Sequence, residues 1–210
     1  MANDRFKDKA LVTCEALRPE IERLRESGEL DVQDVFYVHP GSHERPRIIE
    51  EQLPEKLAEA SQDGRKVVVA LGTKCFFDLD NPERNIDALI QSTGVDAKRV
   101  DAEDCVDMLA DKNRRTDIAG GRSIYWMTPG WMEEREKIFE GWDQGKVNET
   151  FPRNDAVVLL DALDYFNSLS MEDPEKILEF SDWLGTGLEP AEVDLERLKG
   201  LLSRAVGKLE

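Results

Sequence analysis

The chain is short of positive charge, histidine, cysteine and long apolar runs, and each shortage removes a class of function. Lys and Arg number 28 against 45 Asp and Glu, a formal net charge of −17. Such a field repels phosphate backbones and anionic lipid, so neither nucleic acid nor a membrane surface is expected as a partner. No stretch approaches the ~20 consecutive apolar residues that a membrane-spanning helix needs. Met1–Lys9 is charged and leads only into the short Ala10–Val12 run, without the apolar segment of a secretory leader. The three cysteines are odd in number and widely spaced, which is no disulfide framework. These absences predict a cytoplasmic protein.

Several motifs are missing as well. Neither GxxxxGK[ST] nor GxGxxG occurs, so Gly72-Thr73 is not a phosphate loop and Gly120-Gly121 reads as a tight turn. No GxSxG elbow presents a serine nucleophile. No CxxC pair supplies the usual local metal signature. There is no solenoid repeat, low-complexity tract or linker.

What is present is a βα alternation. At 210 residues with 40% hydrophobic content, the chain suits a single domain spanning 1–210. Short apolar runs at Lys9–Thr13, Val32–Val38, Lys66–Leu71, Ala97–Val100, Ser123–Met127 and Ala156–Leu160 read as strands. Val67-Val68-Val69-Ala70 is apolar without alternation, as a central parallel strand covered on both faces would be. Between the runs lie helical stretches. Leu17, Ile21 and Leu24 share one face, as do Ile48, Ile49, Leu53, Leu57 and Ala58. Further helices are expected at Ile86–Gln91, Asp104–Asp111, Met132–Trp142, Asp173–Leu184 and Asp194–Leu209, with a polar loop before Gly120. The pattern predicts an α/β, three-layer Rossmann-like fold with a mostly parallel central sheet.

Ligands of an open parallel sheet bind beyond the carboxyl ends of its strands. Cys14 and Cys75 fall at two such ends and Cys105 just past a third. Right-handed crossovers put those ends on one edge, so three distant cysteines are expected to converge. Converging thiolates suit zinc or an iron–sulfur cluster. His43 is the natural fourth ligand and His39 its alternative, with Asp101, Asp104 and Glu15 available as oxygen donors or hydrogen-bond acceptors. Buried cysteine that merely fills space remains the competing reading. Trp126, Trp131 and Trp142 read as core, and the acidic run Asp101–Asp111 as a solvated helix start.

Five segments together resemble the family called domain of unknown function 1638, from about Lys9 to Leu202. They are Leu11-Val12-Thr13-Cys14, His43-Glu44-Arg45-Pro46, Leu71-Gly72-Thr73-Lys74-Cys75, Asp104-Cys105-Val106 and the block Tyr125–Trp131. All three cysteines fall on the family's cysteine-bearing motifs. Phe76 stands where the family motif usually carries glycine. The resemblance implies a link to corrinoid-dependent methyl or one-carbon metabolism, with a corrinoid protein or methyltransferase as partner.

Three functions stay open. In the first, Cys14, Cys75 and Cys105, with His43, hold zinc or an iron–sulfur cluster, while Arg45 and Thr128 anchor an anionic substrate or cofactor. In the second, the protein is a non-metal Rossmann-like module for a small molecule or partner. The third is a thiol enzyme with Cys75 as nucleophile and His43 as base.

Overall fold

The computed structural model describes residues 6–209 except 44, 79, 80 and 82, and only the main chain of Ser42, His43 and Pro46. The first half runs β1 (Lys9–Cys14), α1 (Arg18–Glu26), β2 (Asp34–Val38), α2 (Pro46–Ala60), β3 (Lys66–Ala70), α3 (Ile86–Ser92) and β4 (Ala97–Arg99). Two helices, α4 (Cys105–Leu109) and α5 (Lys112–Ala119), lead to β5 (Ile124–Met127). Then come α6 (Pro129–Glu133), α7 (Arg135–Ile138), α8 (Gln144–Thr150) and β6 (Ala156–Asp161). The chain finishes with α9 (Tyr165–Glu172), α10 (Pro174–Leu184), β7 (Leu188–Glu192) and α11 (Glu196–Gly207).

Every ladder between these strands is parallel. They form two sheets, four strands in the order β2-β1-β3-β4 and three in the order β5-β6-β7. The α/β, Rossmann-like expectation holds, with the parallel strands shared between two sheets. Burial follows position. All six residues of β1 and of β6 are buried, and so is Val67–Ala70 of β3. These central strands are covered on both faces, which is why they read as unbroken apolar runs. The outer strands are mixed. β4 is only three residues long, and β7 carries Pro190, whose missing N–H is tolerated at an edge.

Helices cover the sheets through apolar stripes. Ile21 and Leu24 of α1 are buried, as is Leu17 in the preceding 3-10 turn Glu15–Leu17. In α2, Ile49, Leu53, Leu57 and Ala60 face inward, and Ala58 lies exposed, one residue off the stripe. The last helix returns to the first sheet, where α11 packs on β3 and β4.

Three expectations are corrected. The stretch before Gly120 is helix α5, held by its ends: Asp111 Oδ1 accepts the Arg114 N–H at 2.8 Å, and Gly120 closes it at φ 58°. The helix expected over Met132–Trp142 is broken into α6 and α7. The acidic run is not simply solvated, because Asp107 is buried and accepts Arg197 at 3.0 Å.

Candidate functional site

In the first sheet the chain leaves β1 for β2 on one side, then returns to β3 on the other. The order therefore reverses between β1 and β3, where parallel sheets open a crevice at their carboxyl ends. Cys14 ends β1, and Cys75 closes the 3-10 turn Thr73–Cys75 beyond β3. Cys105 opens α4, with Asp104 capping that helix by accepting the Asp107 N–H at 2.8 Å. All three thiols are free and buried.

Two glycines let the strand-end loops touch. A Cβ on Gly72 would stand 2.1 Å from the Glu103 carbonyl oxygen, so nothing larger fits between the Cys75 and Cys105 loops. Main-chain bonds lace those loops, Thr73 N to Ala102 O at 3.0 Å and Lys74 N to Glu103 O at 2.8 Å. A Cβ on Gly130 would stand 2.5 Å from the Ala16 carbonyl oxygen. There the Thr128 hydroxyl donates to Ala16 O at 2.7 Å, fastening the start of α6 to the turn after Cys14. The stitching spans both sheets.

Two of the sulfurs meet an N–H donor. Cys14 Sγ accepts from Ala16 N at 3.4 Å, and Cys75 Sγ from Gly72 N at 3.2 Å. The Trp131 side chain bears on Cys105 electrostatically and draws its thiol downward. Burial nevertheless dominates and pushes all three thiols upward, Cys14 to about 12 and Cys75 to about 11. Cys105 rises well above the ordinary value, first through burial and then through charge on Cys14, Asp104 and Cys75. Cys75 likewise acts on Cys14. The thiols thus bear on one another electrostatically.

They are not a ready-made cage. Among the described residues, no group of three or more His, Cys, Asp or Glu side chains is placed to hold a metal ion. The side chain of His43 lies outside the described residues. His39 Nδ1 accepts the Gly41 N–H at 3.0 Å, which puts the proton of a neutral ring on Nε2 and leaves no free lone pair. Glu15 is engaged by Arg18 at 3.2 Å and Lys137 at 3.4 Å.

The two expected ligand anchors are occupied. Arg45 Nη1 pairs with Glu140 at 2.6 Å, and Nη2 reaches Lys137 O at 3.3 Å. Thr128 is fully buried, and its hydroxyl also accepts from Trp131 N at 3.3 Å. Phe76, beside Cys75, is itself buried core.

Sequence reasoning missed three participants. Trp131 is core that also bears on the Cys105 thiol, and its Thr128-Pro129-Gly130 approach was the only local sign. Asp161, at the end of β6, accepts the main-chain N–H groups of Leu163, Tyr165 and Phe166 at 3.0, 2.9 and 2.8 Å. Glu20 is buried within the apolar stripe of α1. Its spacing of three from Leu17 and four from Leu24 was the available signal.

No helix among the described residues is long and apolar enough to cross a membrane. A family model described as "Protein of unknown function (DUF1638)" matches residues 37–202. No curated protein and no solved structure matches the chain.

Proposed function

The chain belongs to the DUF1638 family, whose description assigns no activity, and from the site alone we propose that Cys14, Cys75 and Cys105 bind a soft or borderline metal as thiolates. Zinc or an iron–sulfur cluster fits that donor set. The observation that carries this reading is the main-chain N–H donor at two of the buried sulfurs: Ala16 N at Cys14 and Gly72 N at Cys75. Such donors do little for a neutral thiol but offset the charge of a bound thiolate. The sulfurs draw inward on binding, since they do not stand in metal-holding geometry beforehand.

Burial keeps the free thiols protonated, so a metal must displace up to three protons. Affinity then climbs with pH, by up to ~10³ per unit if all three protons leave. The same burial disfavours the thiol-enzyme reading. With its pKa pushed up to about 11, Cys75 holds roughly one part in 10⁴ as thiolate at neutral pH. We extend the proposal to a supporting role beside a corrinoid protein or methyltransferase on the family resemblance alone.

The test is metal analysis of protein purified without oxygen, alongside Cys75→Ser. Near-stoichiometric zinc or iron in the wild type, lost in the variant, is expected. Metal-free wild type that also takes up no added zinc would end the proposal. The lack of a formed cage favours one rival, a non-metal module with the cysteines as core. That rival predicts a Cys14→Ala variant with lower stability and unchanged ligand binding.

A further inference from the structure

Of the acids on α1, Glu20 alone is fully buried, and neither of its oxygens has a hydrogen-bond partner among the described residues. An ionised carboxyl without a partner is far harder to bury than its neutral acid. The charges that reach Glu20 make matters worse, for both are acids: Glu133 on α6 and Asp161 at the end of β6. Burial above all, with those two acids behind it, pushes its pKa up from 4.5 to about 8, against the opposing pull of its own main-chain N–H. Glu20 therefore favours its protonated form at neutral pH.

Among the described residues, no base is among the charges that act on Glu20. Glu133 is itself raised by burial and by Glu134, with Lys176 of α10 and Arg18 of α1 pulling the other way. Tyr165 of α9 is pushed up to about 12 by burial and the same two acids. Arg18 is turned toward β2, its guanidinium 3.7 Å from the Tyr37 ring centroid, and it bonds Glu15. Glu22 is taken by Tyr37 at 2.6 Å and by Arg25 at 2.8 Å. Arg23 points instead to a cleft of about 570 Å³ that it lines with Asp161, Asn167 and Glu192.

Position gives the buried acid its consequence. Helix α1 packs against α6, and α6 carries both Gly130, seated on the Ala16 main chain, and Trp131, whose side chain bears on Cys105. We propose that Glu20 is a proton-operated latch between the two sheets. Neutral, it lets α1 lie against α6; ionised, it drives α1 off that seam and carries Trp131 away from Cys105. The latch governs access to the thiols whether or not they take a metal, so it stands apart from the metal proposal.

Linkage fixes the sign. The closed form binds the proton up to about pH 8, and an open form releases it near the ordinary carboxylate value. Opening therefore grows by up to roughly tenfold per pH unit across that window and levels off above it. Hydrogen exchange of the full chain between pH 5.5 and 9, corrected for intrinsic amide chemistry, reads this directly. Residues 18–26 and 129–133 lose protection progressively and level off near pH 8, while α10 serves as internal reference. In Glu20→Gln the two segments show no such slope, and Asp161→Asn moves the levelling point to lower pH. Glu20→Met, which needs no hydrogen-bond partner, replaces the Gln variant if that chain fails to fold. A flat wild-type profile, or the same slope in either Glu20 variant, overturns the latch.

Discussion

The carboxyl edges of the two sheets face the same physical problem and answer it differently. At the first edge lie three buried sulfurs, two of them with an N–H donor. At the second, Asp161 collects three main-chain N–H groups, while Glu20, on which its charge acts, has no partner at either oxygen among the described residues. Parallel strands deliver polar groups to one rim in either case. What separates the edges is satisfaction: sulfur tolerates weak donors, whereas a carboxylate needs strong ones or must stay protonated. The first edge is suited to exchanging protons for a cation, the second to holding one proton.

The comparison breaks most severely at Asp161. Asp161→Ala strands three N–H donors, each costing ~1–3 kcal/mol when buried and unpaired, so a loss of about 3–5 kcal/mol is expected in urea unfolding. A loss under about 1 kcal/mol would mean that water replaces the carboxylate there. Next come the stitching glycines. Gly130→Ala drives a methyl group into the Ala16 main chain, and overpacking of that kind costs about 1–3 kcal/mol. Unlike Asp161→Ala, it should also speed alkylation of Cys14, since the turn after that residue must shift.

The edges differ in pH response as well. A raised carboxyl pKa makes the native state hold a proton that the unfolded chain releases, so wild-type stability falls as pH rises from 4.5 toward 8. Glu20→Met removes that slope. Relative to wild type, it should gain on the order of 1 kcal/mol per pH unit across the window. Urea midpoints at pH 5 and pH 8 that differ equally in both proteins would contradict this. A gentler probe of the sulfur edge is Trp131→Phe, which keeps the ring and loses the N–H. A further rise of the Cys105 pKa is expected, followed by thiolate absorbance, with a stability change under about 1 kcal/mol. The smallest effect belongs to Lys74→Ala. Its pair with Glu103 joins the Cys75 and Cys105 loops at 2.6 Å but is more than half exposed, so under about 1 kcal/mol is expected.

How much of this could be read from the residues alone depends on what holds each element. β1, β3 and β6 were legible because central strands must be apolar throughout. β7 was not, since Leu188-Glu189-Pro190-Ala191-Glu192 is an edge whose only demand is one bonded flank. Helix α5 escaped because Lys112–Ala119 has no apolar stripe and is held by Asp111 and Gly120. The expectation that Cys14, Cys75 and Cys105 lie at strand ends followed from the strand pattern and handedness. Trp131 and Glu20 did not, because their roles arise where the second sheet meets the first, a contact that no local pattern encodes.

Proline at position 190 has a consequence outside the native molecule. A bare flank of β-structure invites neighbouring chains to zip onto it, and the missing amide hydrogen interrupts that row of donors midway along β7. Arg122, fastened to Glu189 at 2.9 Å, places a charged pair beside the gap. The flank is thereby a poor template for fibre growth, and a Pro190→Val chain should be the first to form aggregates on warming.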